Sequence, residues 1–166
     1  MTSSTPSHPA EPALHIVLLQ PEIPPNTGSI ARLCAAIGVR LHLVGPLGFS
    51  LEDRYLKRAG LDYWPHVDLR VHDHWQQFAT EHAAEHFVLY SARAARSYLS
   101  IAHVPGEYLV FGSETRGLPQ SLLAGREDAT YMIPIVSPHV RSLNLANAVS
   151  IAAYDALRCL ECLPTR

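Results

Sequence analysis

The stretch HIVLLQPEIPPNTGSIARLCAAIGVRLHLVG, residues 15–45, sets the fold class of this chain. A short apolar run at 15–20 leads into a proline-containing loop, then into an amphipathic segment at 27–38 and a second apolar run at 40–45. Two strand-length runs that flank a helix-length segment are typical of a βαβ unit with parallel strands. The stretch therefore predicts an α/β fold built on a parallel sheet.

The remainder of the chain repeats this alternation of apolar and amphipathic segments. Strand-length runs lie at 68–72, 87–91, 108–113 and 131–135, and helix-length segments lie at 51–60, 73–86, 118–125 and 144–163. Such alternation predicts a mostly parallel sheet with helices on both faces. Ligands of these sheets bind beyond the carboxyl ends of the strands, so we expect the functional residues in the loops that follow them.

Composition narrows the class of protein. The chain has 166 residues, of which 48% are hydrophobic and 17% charged, and this composition excludes a fibrous or disordered protein. Its formal net charge of −2 excludes a surface that is basic throughout. Residues 1–12 are rich in Ser, Thr and Pro and predict a disordered tail, which leaves 13–166 as one domain. Three cysteines are too few for a disulfide framework.

Localisation follows from the same observations. No apolar run approaches the roughly 18 residues that a membrane span requires. The amino-terminal segment lacks the basic and apolar regions of a secretory signal. We therefore expect a cytoplasmic protein with no membrane segment.

Three loops after predicted strands are dense in Gly, Pro and polar residues. They are PEIPPNTGSIAR at 21–32, LVFGSETRGLP at 109–119 and IPIVSPHVRSLNLANAVS at 133–150. In the first, we expect Asn26 or Thr27 to cap a helix, with Arg32 one turn further on, near a helix N-terminus that favours anionic groups. In the third, Ser142 and Asn144 can cap the last helix. Capping leaves the density of polar side chains at 141–147 unexplained.

Several other chemistries lack their motifs. No G-x-G-x-x-G or G-x-x-x-x-G-K-[ST] follows a strand, which disfavours a dinucleotide or nucleoside triphosphate. His72-x-His74 and His82-x-x-x-His86 are the closest histidine pairs, but metal binding would need further ligands and an apolar shell around them. A solvated helix face is the simpler interpretation, so we predict no metal site.

The last predicted helix is apolar over most of its circumference. Its polar residues form a narrow stripe of Asn147, Ser150, Tyr154, Asp155, Arg158 and Glu161. A surface helix needs only one apolar stripe. The surplus predicts burial against a second copy of the chain as well as its own domain; a central helix in a monomer is the alternative.

Taken together, the three loops resemble a known family. PEIPPNTGSIARLCA, FGSETRGLP and SLNLANAVSIAAY, with GLDYW at 60–64, resemble the ordered motifs of the SPOUT (SpoU–TrmD) superfamily of RNA 2′-O-methyltransferases. The PEIPPNTG form is similar to its TrmL-like branch of tRNA (cytidine/uridine-34-2′-O)-methyltransferases. The resemblance spans essentially 14–160. It implies a sheet whose carboxyl-terminal segment forms a deep trefoil knot, a homodimer, and S-adenosylmethionine as cofactor.

The resemblance also implies a reaction and a set of site residues. The reaction is methylation of the ribose 2′-hydroxyl of the wobble nucleotide, cytidine or 5-modified uridine at position 34, in leucine tRNAs, with recognition of the anticodon stem-loop. By motif, the cofactor would contact Tyr90, Gly112, Ile133, Ser142 and Leu143. The tRNA would contact Asn26, Arg32, Glu114 and Arg141, and the catalytic residues would be Arg32, Ser142 and Asn144.

Arg32 is the strongest catalytic candidate. A guanidinium with a pKa above about 12 is a poor base, so we expect it to hold a phosphate and to stabilise developing oxyanion charge. We also expect it to complete the site of the partner subunit. Residues 30–60 hold five basic against two acidic side chains, and 61–90 hold one against five, which predicts a small basic footprint for RNA.

Other functions fit parts of these observations. Methylation of a different tRNA or rRNA position would use the same motifs. The βα alternation also permits a dinucleotide-dependent oxidoreductase, although the glycine-rich fingerprint is missing. An RNA-binding module without turnover is the non-enzymatic alternative.

Overall fold

Seven parallel strands form one sheet. The computed structural model describes residues 11–60 and 62–165, so most of the predicted tail at 1–12 lies outside the described residues. The strands are β1 (Leu14–Leu19), β2 (Arg40–Val44), β3 (Leu69–His72), β4 (Phe87–Tyr90), β5 (Arg96–Ser97), β6 (Glu107–Phe111) and β7 (Thr130–Met132). Their order is β3-β2-β1-β6-β4-β7-β5, and every pair is parallel. The predicted α/β class is confirmed.

Helices cover both faces of the sheet, as predicted. They are α1 (Pro24–Ile37), α2 (Arg54–Gly60), α3 (Trp75–Glu81), α4 (Gln120–Leu123) and α5 (Leu145–Cys159). On one face, Ile30 of α1 and Val149 of α5 pack in the same apolar cluster as Ile16 of β1. On the other face, Phe78 of α3 and Leu122 of α4 pack in a second cluster. The two clusters make the central strands inaccessible from either side.

Burial on both faces explains the unbroken apolar runs. All six residues of β1 and all five of β6 are buried. Strands covered on both sides read as continuous apolar runs rather than alternating ones. Because Leu18 of β1 is in register with Phe111 of β6, the loops that begin at 20 and 112 leave the sheet side by side. The fold thus joins two of the three motif loops.

The first helix begins earlier than predicted. It starts at Pro24 with Ile23 as its N-cap residue, and no side chain caps it, so the expectation of a cap at Asn26 or Thr27 is wrong. Proline has the backbone φ of a helix and needs no hydrogen bond in the first turn, so Pro24 and Pro25 open the helix instead of stiffening a turn before it. The predicted end is confirmed, since Gly38 has a φ of 66°.

Other boundaries differ for local reasons. The predicted helix at 73–86 is only Trp75–Glu81, because His74 caps its start and the chain turns at 82–85. The predicted strand at 131–135 ends at Met132, and Pro134 lacks the N–H that a ladder needs. β5, at two residues, is too short to give an apolar pattern.

Within the described residues, no helix has both the length and the apolar character that crossing a membrane requires.

Candidate active site

The three motif loops meet through a chain of hydrogen bonds at the carboxyl edge of the sheet. Asn144 Nδ2 donates to Asn26 Oδ1 at 3.0 Å, and Asn26 Nδ2 donates to Glu114 Oε1 at 3.4 Å. Each of the three side chains comes from a different loop, and up to 118 positions of sequence separate the partners. We call these three residues the inter-loop network.

Glu114 fixes the start of α1. Its two carboxylate oxygens accept hydrogen bonds from the backbone N–H of Glu22 at 2.7 Å and of Ile23 at 3.0 Å. These N–H groups precede the first turn of the helix, where a negative charge also interacts favourably with the helix dipole. Glu114 therefore holds the Pro-rich loop against the loop after β6.

Glu22 and Thr115 make a second tie between the same loops. The Thr115 hydroxyl donates to both carboxylate oxygens of Glu22, at 2.8 and 2.9 Å. This hydrogen bond is the main reason that the pKa of the Glu22 carboxyl lies below its ordinary value. Neither residue is among the site residues predicted from the sequence, although Glu22 lies in the motif loop at 21–32 and Thr115 in the one at 109–119.

Asn144 has two structural roles. Its Oδ1 accepts hydrogen bonds from the backbone N–H of Ala146 at 2.9 Å and of Asn147 at 3.4 Å, which makes it the N-cap of α5. Its Nδ2 makes the bond to Asn26. Of the two cap candidates in the sequence, Asn144 is therefore the cap, and Ser142 is an exposed loop residue.

Arg32 lies outside the inter-loop network. Its guanidinium carbon is 4.6 Å from the centre of the Tyr63 ring, a distance that allows a cation–π contact. The side chain is exposed, and no carboxylate within residues 11–60 and 62–165 pairs with it. Tyr63, from the GLDYW segment, thus orients a cation whose charge is available to an anion.

Tyr90 and Gly112 lie at the ends of neighbouring strands. Tyr90 is buried and stacks on Phe111 with ring centres 4.7 Å apart, and its hydroxyl has no hydrogen-bond partner among the residues that the structure describes. Burial raises the pKa of this hydroxyl, so it stays protonated. A Cβ on Gly112 would lie 1.9 Å from the carbonyl carbon of Gly117, so only glycine fits there.

The loop between β7 and α5 has a backbone that makes no hydrogen bonds to other backbone groups of the described residues. Within the described part of the chain, residues 134–143 make no backbone–backbone hydrogen bond. Ile133 and Leu143 are half-buried at its ends, whereas Arg141 and Ser142 are exposed. S-Adenosylmethionine consists of an adenine-bearing nucleoside and an amino-acid chain, which backbone N–H and C=O groups beside half-buried apolar side chains can bind. It has no phosphate, so it needs no glycine-rich loop. The residues therefore fit that cofactor.

The structure brings together only part of the predicted site. Asn26, Glu114 and Asn144 are joined directly, and Tyr90, Gly112 and Ile133 follow adjacent strands. Within the described residues, no side-chain hydrogen bond joins Arg32, Arg141 or Ser142 to these residues. Of the four predicted tRNA contacts, Arg32 and Arg141 are exposed, whereas Asn26 and Glu114 are half-buried and bonded to each other.

The chain is similar to known proteins over most of its length. The sequence profile of the SpoU rRNA Methylase family matches residues 13–154. A tRNA (cytidine(34)-2′-O)-methyltransferase of Methylovorus glucosotrophus is 46% identical over 147 residues, which are 86% of this chain and 93% of the relative.

Solved structures give the same result. One described as "Structural insights into the 2-OH methylation of C/U34 on tRNA" is 52% identical with a TM-score of 0.85, over 89% of this chain and 96% of the other. An AdoMet-bound rRNA methyltransferase from Sinorhizobium meliloti is 27% identical with a TM-score of 0.80, over 93% of this chain and 59% of the other. The motifs, the sheet and these similarities together show that the chain belongs to the SpoU rRNA Methylase family.

Proposed function

We propose that this enzyme methylates the ribose 2′-hydroxyl of nucleotide 34, a cytidine or a 5-modified uridine, in leucine tRNAs. The observation that carries the proposal is the inter-loop network, which holds the three motif loops together at one sheet edge. The Methylovorus relative, named for position 34 of tRNA, supports the choice of nucleotide.

S-Adenosylmethionine is the methyl donor in this family, and when bound it supplies a methyl group activated by a positively charged sulfur. In this chain we assign its contacts to Tyr90, Gly112, Ile133, Ser142 and Leu143. The unpartnered Tyr90 hydroxyl and the uncommitted backbone of 134–143 support this assignment. The close approach at Gly112 keeps the loop after β6 narrow.

Arg32 acts on the nucleic acid. Its guanidinium holds the phosphate next to the reacting ribose and stabilises charge that develops on the 2′-oxygen. A guanidinium has no acceptor for the leaving proton, so the proton passes to a phosphate oxygen or to water. Fixing the ribose in line with the methyl group can itself lower the barrier by several kcal/mol, on the order of what oriented intramolecular reactions show.

Asn144 and Ser142 orient the reacting group. An asparagine amide has two N–H donors, and the bond to Asn26 uses one of those on Asn144. The second donor is available to the ribose hydroxyl or to the cofactor. Ser142 is exposed two residues earlier in the sequence, and its hydroxyl is likewise available to the ribose hydroxyl or to the cofactor.

We also propose a homodimer with shared sites. The face of α5 formed by Val149, Ala153 and Leu157 is buried within the chain, whereas Ile151 and Tyr154 are 36% and 47% exposed. These two exposed apolar side chains, which lie between the exposed Asn147 and Arg158 on one face of the helix, suit a contact with a second copy of the chain. Since Arg32 lies outside its own chain's network, it completes the site of the partner subunit.

The RNA approaches along exposed arginines. Arg93, Arg116 and Arg141 are exposed in loops that follow β4, β6 and β7, at the same sheet edge as the network. Together with Arg32 they offer a small basic track to the anticodon stem-loop. We place the reaction in the cytoplasm, in keeping with the three free cysteines.

A matched pair of substrates tests the proposal. A leucine tRNA and the same tRNA with a 2′-deoxynucleotide at position 34 are each incubated with enzyme and labelled S-adenosylmethionine. The first should accept about one methyl group, and the second should accept none, because the acceptor hydroxyl is missing. Equal labelling of both would contradict position 34, and labelling of non-leucine tRNAs alone would contradict the substrate.

A further inference from the structure

A chain of buried histidines crosses the sheet on the face covered by α3 and α4. His15 Nδ1 lies 3.0 Å from His42 Nε2, and His42 Nδ1 lies 3.0 Å from His72 Nε2. His42 is only 2% exposed, and the three rings come from β1, β2 and β3. The methyl-transfer reaction proposed above makes no use of them.

A fourth histidine joins this chain from α3. His82 follows the last turn of α3, and one ring nitrogen each of His42, His72 and His82 lies within 4.8 Å of the others. The pairs that stand out in the sequence, His72 with His74 and His82 with His86, are not the ones that meet in the fold. His74 instead caps α3, and His86 lies 3.6 Å from Glu107, so neither belongs to this cluster.

Each member of the cluster has a partner for its second ring nitrogen. His42 Nε2 contacts His15, His72 Nδ1 lies 3.6 Å from a carboxylate oxygen of Glu81, and His82 Nδ1 lies 3.2 Å from the Tyr108 hydroxyl. Histidines that bind metals almost always use the other nitrogen in this way, which fixes the tautomer and the orientation of the ring. Three such second contacts are the strongest feature of the site.

The surroundings also suit a metal ion. The Phe78 ring lies against all three histidines, with ring centres 4.6 to 5.4 Å away, and forms an apolar wall. An apolar shell of this kind limits the access of solvent to a metal ion.

We propose that His42, His72 and His82 bind one Zn²⁺ ion, with water as the fourth ligand. Two nitrogens on a tetrahedral zinc ion, each about 2.0–2.1 Å from it, are about 3.3 Å apart. His42 Nδ1 and His72 Nε2, at 3.0 Å, need to separate only slightly, and the His82 nitrogen, within 4.8 Å of both, has to come closer. In the bound state the ring proton of His42 is on Nε2, and this N–H donates a hydrogen bond to His15 Nδ1. The ion ties α3 to β2 and β3.

Cobalt provides the direct test, because Co²⁺ takes the same ligands and is coloured. The full-length protein, stripped of metal with a chelator, is titrated with CoCl₂ and then with ZnCl₂. We expect the visible absorption of tetrahedral cobalt to saturate at one equivalent, without a sulfur-to-cobalt charge-transfer band, and to disappear as zinc displaces cobalt. Zinc should also raise the melting temperature by several degrees.

Variants assign the ligands. His72→Gln and His82→Gln should each abolish the cobalt band, whereas His66→Gln, at an exposed histidine outside the cluster, should leave it intact. Cys159→Ser removes a rival group in which Cys159 lies near His103 and Asp155, and it should also leave the band intact. Absence of a band in the wild-type protein overturns the proposal, as does a band that survives both histidine variants or disappears with Cys159→Ser.

Discussion

Asn144 shows how one side chain serves both the fold and the site. Its carbonyl oxygen caps α5, and its amide nitrogen binds Asn26 across the loop junction. A serine at this position retains a capping oxygen but has no amide donor. The two roles can therefore be separated by substitution.

We predict that Asn144→Ser keeps stability and loses activity. Asn144→Ala should lower the free energy of unfolding by about 1 kcal/mol through loss of the cap, and Asn144→Ser by much less. Both should lower the rate of methyl transfer about tenfold or more, since both remove the donor to Asn26. Urea unfolding and single-turnover methylation measure the two effects. A fully active Asn144→Ser variant would show that the bond to Asn26 has no role in the reaction.

Arg32 and Tyr63 form a second separable pair. We predict that Arg32→Ala lowers the rate of methyl transfer by about 10²–10³, the loss that follows removal of a group that stabilises an oxyanion. Tyr63→Phe is the matched control, because it keeps the ring beneath the guanidinium and should retain most activity. Rates at saturating tRNA are compared with tRNA affinities. If Arg32→Ala weakened only tRNA binding, Arg32 would be a binding residue without a part in the chemistry.

Among the elements, β6 is followed by a tight turn that belongs to the proposed cofactor site. The backbone at Gly117 and Leu118 lies against Gly112, so the turn leaves no space for a side chain there. Gly117 N also donates to the Ser113 carbonyl at 2.8 Å, which closes the turn. The shape of this loop thus depends on backbone contacts that a methyl group would push apart.

We predict that Gly112→Ala impairs binding of S-adenosylmethionine. The new Cβ meets backbone atoms at 1.9 and 2.1 Å, so the turn has to move and the protein should also lose stability. Gly125→Ala is the control, because it has open space around its Cβ and only a positive φ of 74° to oppose it. Calorimetric titration with S-adenosylmethionine compares the two. Unchanged affinity in a folded Gly112→Ala protein would place the cofactor elsewhere.

Local pattern predicted the elements better than their ends or their contacts. The central strands follow from runs such as IVLL and YLVF, because burial on both faces demands continuous apolar residues. The predicted start of α1 was wrong because Pro24 fits the first turn of a helix as well as a loop. The bonds of Glu114 to Glu22 and of Asn144 to Asn26 join residues 92 and 118 positions apart. Only the assembled sheet brings such pairs together, and the trefoil knot stays a prediction.

As a whole, the enzyme is proposed to act as a dimer in which each site draws on two chains. Arg32 would face the network of the partner subunit, which includes Asn144. A variant lacking Arg32 and a variant lacking Asn144 then damage the same kind of site from opposite subunits. Random exchange of subunits should rebuild intact sites.

We predict that a mixture of Arg32→Ala and Asn144→Ala proteins is more active than either variant alone. Half of randomly exchanged dimers are heterodimers, and each carries one intact site, so recovery should approach about a quarter of the wild-type rate. Each variant exchanged with itself is the control, and sedimentation checks that dimers form. No recovery from verified heterodimers would mean that Arg32 and Asn144 act within one chain.

Alkaline hydrolysis of the labelled product addresses the proposed reaction itself. Alkali cleaves RNA through the 2′-hydroxyl, so a 2′-O-methyl group protects the bond that follows its own nucleotide. After reaction with labelled S-adenosylmethionine, leucine tRNA should yield its label in one alkali-resistant dinucleotide, made of nucleotides 34 and 35. Label in mononucleotides would mean that a base is methylated, and a labelled dinucleotide from another position would contradict methylation at the wobble nucleotide.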